Sequence, residues 1–212
     1  PVSPDKFQYY DRKHIKEDNG YLYYRDNRLN VFAAVDFAFS LSKRADYTAI
    51  VVVGIDADNN VYVLDIDRFK TDRISEYFEH ILQLSTKWSF RKLRAETTVA
   101  QMAIVRQLKE LIKQHGLSIS IDEFRPNKSQ GNKQERISSI LEPRYDNMSI
   151  WHYRGGNSQI LEEELSSRNP AHDDVIDALA SVVDMAVKPA RSVRRHKSNV
   201  VQFNSRFGGV SF

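Results

Sequence analysis

Apolar and polar positions along the chain repeat with two different periods. Residues 31–36 (VFAAVD) read as a first strand that ends on a carboxylate. Residues 46–70 (DYTAIVVVGIDADNNVYVLDIDRFK) are two apolar runs on either side of Asp56–Asn60, a turn-rich cluster, and predict a hairpin. Residues 72–88 place Ile74, Phe78, Ile81 and Leu82 at helical spacing. A short strand is expected over 92–98. A helix follows over about 99–115, with Ile104, Leu108, Leu111 and Ile112 on one face and Gly116 as its stop. Residues 117–124 (LSISIDEF) alternate like a strand. The polar stretch 125–143 looks helical in its second half and should end before Pro143. Residues 148–153 suit an edge strand and 157–165 a short helix. The closing helix, 173–187, is amphipathic and stops before Pro189. Residues 1–30 are polar, tyrosine-rich and weakly periodic. They read as a lead-in or linker, with Tyr21–Tyr24 packing onto the domain.

A hairpin feeding an alternating strand and helix section implies an α/β mixed sheet with helices on its faces. Three antiparallel strands followed by parallel ones, five in all, is the order of the ribonuclease H-like fold. The expected layout is a lead-in over 1–30, that domain over 31–187 and a basic tail over 188–212.

At 212 residues and 41% hydrophobic content, the chain can bury a core. It opens on Pro1 rather than Met, which suits a piece of a longer protein. It has no cysteine, which removes disulfides, thiolate metal sites and a thiol nucleophile. No apolar run approaches the roughly 20 residues needed to span a bilayer, and no membrane partner is expected. The formal charge of +3 is unevenly spread: residues 188–212 hold six Lys/Arg and no acid, leaving 25 basic against 28 acidic groups in residues 1–187. The folded part is therefore mildly acidic and the tail basic. Such a tail suits phosphates or an acidic protein surface, or is simply solvated.

Three acidic sites carry candidate chemistry. Asp36 ends the first strand, Glu96 ends a later strand in RAETT, and Asp173, Asp174 and Asp177 open the final helix in HDDVIDALA. In open α/β sheets ligands gather at the carboxyl ends of strands, and Asp36 and Glu96 both lie at such ends. Spacings of three and four set the helix acids near one another on one face. Mutual repulsion would be relieved by a divalent cation, and oxygen-only ligands select hard ions such as Mg²⁺ or Mn²⁺. Each acid alone has an ordinary account. Asp36 could bond backbone amides, Glu96 could pair with Arg94 or Lys92, Asp173 could cap the helix, and Asp177 and Asp184 could face solvent. The ordered set in this fold order is far more specific than any member.

These strings together resemble the nuclease domain of tailed-phage terminase large subunits, the DNA-packaging proteins. They are VFAAVDFAFS, ADYTAIVVVGID, NVYVLDIDR, RAETT, NKQERISSILEP and HDDVIDALA, and they run from about 31 to 187. HDDVIDALA is the most specific; a related string closes RuvC-type resolvases, which share the fold. The resemblance implies a nuclease that cuts concatemeric double-stranded viral DNA with two Mg²⁺ or Mn²⁺ ions in the host cytoplasm. Carried over, Asp36 and Glu96 match the first and second acids, and Asp174 and Asp177 the terminal-helix acids, with Asp173 a further metal ligand. Many relatives have Asp-Pro-Ala where this chain has Asp36-Phe37-Ala38, which leaves the acid in place and bears on loop shape. Lys133 and Arg136 fall in the family's basic segment before a helix.

Full-length relatives also carry an ATPase motor and work with a portal and a small terminase subunit. The chain holds no Gly-x-x-x-x-Gly-Lys-Ser/Thr string, so ATP hydrolysis is not expected of it. Candidate DNA contacts are Lys43, Arg44, Lys128, Lys133, Arg136 and the tail, held to phosphates and therefore salt-sensitive. His172, beside the acids, suits a surface position or a proton shuttle. Two other readings stay open: a RuvC-like junction resolvase or other nuclease of the fold, and a non-catalytic scaffold docking a partner through the basic tail. A sugar-kinase-like phosphotransferase would need glycine-rich phosphate loops, which are missing.

Overall fold

The computed structural model describes residues 1–38, 47–127 and 131–191. The expectations at Lys43, Arg44 and Lys128, and for the tail beyond Arg191, lie outside these residues. Among the described residues, nine strands and five α-helices are ordered as β1 (Gln8–Tyr9), β2 (Ile15–Asp18), β3 (Tyr21–Tyr24), β4 (Asn27–Asp36), β5 (Thr48–Ile55), β6 (Val61–Phe69), α1 (Ile74–Trp88), β7 (Lys92–Glu96), α2 (Met102–Gln114), β8 (Ser120–Phe124), α3 (Lys133–Asp146), β9 (Ile150–His152), α4 (Ser158–Ser166) and α5 (Asp174–Met185). No helix among the described residues is long and apolar enough to cross a membrane.

The centre of the sheet runs β6-β5-β4-β7-β8. The pairs β6/β5 and β5/β4 are antiparallel, and β4/β7 and β7/β8 are parallel. This is the ribonuclease H-like order. Every residue of β5 is buried, as expected of a strand covered on both faces. Helix α5 packs on β4 and β5, with α3 and α4 leaning against it. On the other face, α1 takes hydrogen bonds to β6 from Trp88 Nε1 to Asp65 (2.8 Å) and from His80 Nδ1 to Asp67 (2.5 Å). The β5–β6 turn is built by Asp56, whose Oδ1 accepts from the backbone N–H groups of Asp58 and Asn60 (2.9 Å each). Gly54 has no room for a side chain: a Cβ there would lie 2.9 Å from Leu29 Cδ1.

Three elements differ from the pattern in the sequence. Residues 1–30, expected as a lead-in, carry β1, β2, β3 and the start of β4. The two residues of β1 pair in parallel with β9, and the β2–β3 hairpin pairs with the first residues of β4. The tyrosines that obscured the periodicity pack as rings: Tyr10 meets Tyr62 edge-to-face at 5.3 Å and Tyr24 lies against Tyr62 at 4.6 Å. Strand β9, expected at an edge, therefore sits between β6 and β1. Helix α3 continues through Pro143 to Asp146. Its last turn is held by the Asn147 N–H on the Pro143 carbonyl and by Tyr145, which is 1% exposed. That anchorage outweighs the single helical donor a proline lacks.

All sheet strands except β5 and β3 point the same way. The carboxyl ends of β1, β9, β6, β4, β7 and β8 thus share one edge of the sheet. Asp36 and Glu96 are the last residues of β4 and β7 on that edge.

Candidate active site

Helix α5 brings the late acids to the same edge. Val175, Leu179, Val182 and Val183 are buried against the sheet, and Ala178 and Ala180 permit close approach. This fixes the rotation of the first turn, so Asp174 and Asp177 turn inward at 7% and 3% exposure. The solvent-exposed account of Asp177 is corrected here; Asp184, two turns further along the same face, is half-exposed and pairs with Arg94 (2.7 Å). Nor does Asp173 cap the helix with its side chain. The Val175 N–H is instead capped from α4, by Glu164 Oε1 at 3.3 Å.

Asp36, Glu96, Asp174 and Asp177 act on one another electrostatically. Burial raises the Asp36 pKa well above the ordinary value, and Asp177, Asp174 and Glu96 push it further in the same direction. Glu96 is raised by burial and by Asp177. Asp173 is the outlying member: it is not among the groups that raise Asp36.

Two cations stand among these acids, both from the first turn of α3. Asn132 caps that helix by accepting from the Glu135 N–H (2.8 Å), which places Lys133 and Arg136 three apart on one face. Lys133 Nζ lies 3.0 Å from Asp177 and 3.4 Å from Asp173. Arg136 Nη2 lies 2.7 Å from Glu96 and 3.7 Å from Asp177. Burial would lower the Lys133 pKa, but Asp36, Asp177 and Asp173 together hold it above the ordinary value, so it stays charged. Rather than projecting outward, both side chains point into the acid cluster. The ordinary account of Glu96 changes accordingly: its partner is Arg136, while Arg94 bonds Asp122 and Asp184.

Among the described residues, no three acid or histidine side chains stand close enough to share one ion. The donor set is nonetheless all oxygen, from three separate elements, and its mutual repulsion is balanced by two cations. That chemistry fits hard divalent ions, which would take over the balancing charge. His172 is half-buried and packs edge-to-face on Tyr47 at 5.2 Å.

The sequence pattern missed two features, the first of them a residue. Glu164 is 5% exposed, with its carboxyl pushed up to about 8, chiefly by burial and also by Asp174. The signal was there: Ser158, Leu161, Glu164 and Leu165 lie at helical spacing, so Glu164 shares the buried stripe. The second is the inward role of Lys133 and Arg136. Cations in a helix's first turn run against its dipole and point to nearby acids.

No protein-family model and no curated protein matches the sequence. Solved structures do match. The large terminase nuclease from thermophilic phage G20c aligns over 85% of this chain and 94% of its own, with a TM-score of 0.58 and 18% identity. A mutant nuclease domain of the large terminase subunit of bacterial virus Sf6, solved with manganese and beta-thujaplicinol, aligns over 76% and 89%, with a TM-score of 0.52 and 14% identity. A mutant of the same Sf6 subunit solved with calcium covers 71% and 86%, with a TM-score of 0.50 and 14% identity. At these identities the likeness establishes the fold, that of terminase nuclease domains.

Proposed function

We propose that this chain is the nuclease domain of a viral DNA-packaging terminase, a divalent-metal-dependent endonuclease that hydrolyses phosphodiesters of concatemeric double-stranded DNA. The observation that carries the proposal is the meeting of Asp36, Glu96 and Asp177 at one sheet edge. Asp36 and Asp177 lie some 140 positions apart in the chain, and both are largely withdrawn from water. A fold gains nothing in stability by gathering repelling carboxylates, whereas a metal-dependent hydrolase needs them.

Asp36, Glu96, Asp174 and Asp177 would hold Mg²⁺ or Mn²⁺, with Asp36 placed between the other acids and Asp173 at the rim. Bound there, two such ions supply an activated water and charge neutralisation at the leaving 3′-oxygen. The protein's own part is orientation and charge. Strand ends β4 and β7 fix two carboxylates on a rigid edge, and α5, capped by Glu164, fixes the others. Lys133 and Arg136 offset part of the repulsion among the acids in the absence of metal. Arg136 also holds Glu96 to one side, so that its carboxylate is presented in a set direction.

The test is nicking of supercoiled plasmid by the purified protein with Mn²⁺ or Mg²⁺. Nicking should stop in chelator and fall by roughly 10⁴-fold in Asp36→Asn. Cleavage that survives either treatment would overturn the proposal. In the full-length protein an ATPase motor, a portal and a small terminase subunit would be its partners, in the cytoplasm of the host.

A further inference from the structure

The edge that carries Asp36 and Glu96 continues, beyond β5, to the ends of β6, β9 and β1. That part of the edge is basic and aromatic. Arg12, just past β1, lays its guanidinium over the Tyr153 ring at 3.4 Å, and Arg154, just past β9, lies over Tyr9 at 4.0 Å. The Tyr9 ring is itself fixed, because its hydroxyl donates to Glu162 at 2.6 Å. These residues, with Gly155 and Gly156, line an open cavity of about 720 Å³. Asp11 also faces it, and its Oδ1 accepts from the Lys13 N–H. Nearer the acids, Arg68 lies over Tyr47 at 3.6 Å, Lys70 approaches the same ring at 4.4 Å, and Tyr47 packs on His172. Aromatic and basic groups therefore recur along this edge from the end of β1 to His172, the residue before Asp173.

Two features point to an external anion. Among the described residues none of Arg12, Arg68, Lys70 and Arg154 forms an ion pair with a carboxylate. The Nε atoms of Arg12 and Arg68 are withdrawn from water without a hydrogen-bond partner, although Glu164 lies near Arg68. Guanidinium groups held flat on tyrosine rings lose little further freedom when they take a phosphate.

The spacing suits a duplex. Strands lie about 4.8 Å apart, so β9 is roughly 14 Å and β1 roughly 19 Å from β4. With about 3.4 Å per base pair, that corresponds to roughly four to six base pairs from the acids.

We propose that Arg12, Arg154, Arg68 and Lys70 form a phosphate track that holds the backbone of double-stranded DNA on the β1/β9 side of the cleavage site. This rests on the nuclease reading for its direction and for its partner.

The experiment compares the wild type with the double variant Arg154→Ala/Lys70→Ala, both of whose residues are exposed. Arg154→Lys is the conservative variant. Lys16→Ala, on β2 and paired through β3 to the opposite end of β4, is the charge-matched control. Fluorescence anisotropy with a 20-base-pair duplex, in chelator, is followed from about 25 to 150 mM salt. The double variant should bind several-fold more weakly, with the slope of log K against log salt reduced by about 2, one phosphate per cation lost. Lys16→Ala should match the wild type, and Arg154→Lys should recover most of the loss.

Unchanged affinity and slope would overturn the track. Plasmid nicking with Mn²⁺, run in parallel, should show a raised half-saturating DNA concentration with the maximal rate retained. A wild type that nicks while the track variants behave like it removes the track alone. A wild type that binds through the track without nicking removes the nuclease reading and leaves the track; one that does neither removes both.

Discussion

Arg136→Met gives the sharpest test of the charge balance at the acid cluster. The Arg136 side chain is 13% exposed and bonds Glu96, at 24%, and approaches Asp177, at 4%. Methionine keeps most of the volume and packing beside Phe124 but removes the charge. Two nearly buried carboxylates are then left with Lys133 as their remaining cation. Removing one partner of a buried ion pair costs about 3–5 kcal/mol. Lys133 stays in place and the half-open rim screens part of the field, so about 2–3 kcal/mol is expected. For a chain of this length that lowers Tm by about 4–12 °C in chelator. A divalent ion supplies the missing charge, so Mn²⁺ at about 100 times its Kd should return about 2.7 kcal/mol. Thermal melts of wild type and variant, each in chelator and in Mn²⁺, decide the matter. The variant should gain more from Mn²⁺ than the wild type does. Adding Asp36→Asn to Arg136→Met should recover part of the loss in chelator, because it removes one of the repelling charges. A variant as stable as wild type in chelator, or one to which Mn²⁺ gives no larger shift, would refute this account of the site.

Other substitutions probe separate links. In chelator, the raised Asp36 and Glu96 pKa values mean that the folded state binds more protons than the unfolded chain; stability should therefore fall as pH rises above the ordinary carboxylate range, and Asp36→Asn should weaken that fall in urea titrations at pH 5 and 8. Glu164 contributes in the same direction between its ordinary 4.5 and about 8, so Glu164→Gln should flatten the curve in that window. Tyr145→Phe leaves the buried His152 Nε2 without the hydroxyl now 2.7 Å away and should cost about 1–3 kcal/mol in the same titrations. Gly54→Ala drives a methyl into Leu29, itself 3% exposed, and should cost about 1–3 kcal/mol with no change in nicking by the surviving fold.

The parts of this structure that were legible in the sequence are those set by local periodicity and turn chemistry. The β5–β6 hairpin announces itself through two apolar runs and an Asp-rich turn, because β5 and the first half of β6 are buried and the turn bonds its own backbone through Asp56. Helix α5 shows its buried stripe, and strand ends Asp36 and Glu96 stand out as charges closing apolar runs. What was illegible depends on contacts distant in sequence. Residues 8–9 give no strand signal of their own and become a strand only against Trp151 and His152. Asp177 is inside and Asp184 exposed because they lie two turns apart on one face of α5, the first beside Lys133 at the acid cluster and the second toward the far end of the helix. Helix α3 crosses Pro143 because Leu141 and Tyr145 are anchored in the core on either side of it.

The two cations of α3 bear most directly on how such a site exists at all. Four acids at one edge, with Asp36 and Glu96 both raised by their neighbours, would favour either protonation or local opening. Protonated acids would bind metal poorly, since the ligand must be ionised. Lys133 and Arg136 resolve the conflict because they attach to a different element from every acid they neutralise. The first turn of α3 can shift without disturbing β4, β7 or α5, which are locked by the sheet and its buried helix. The acids are thus fixed in place before any metal arrives, while the charges that balance them sit on a separate element, α3. If that is the design, tying α3 rigidly to α5 should weaken metal binding even with all four acids intact. A disulfide from Ser138 or Gln134 to Ile176, positions that line one cavity between the two helices, is a direct way to impose it. Oxidised protein should then need more Mn²⁺ than reduced protein for the same rise in Tm. Equal requirements in both forms would show that the cations need not move.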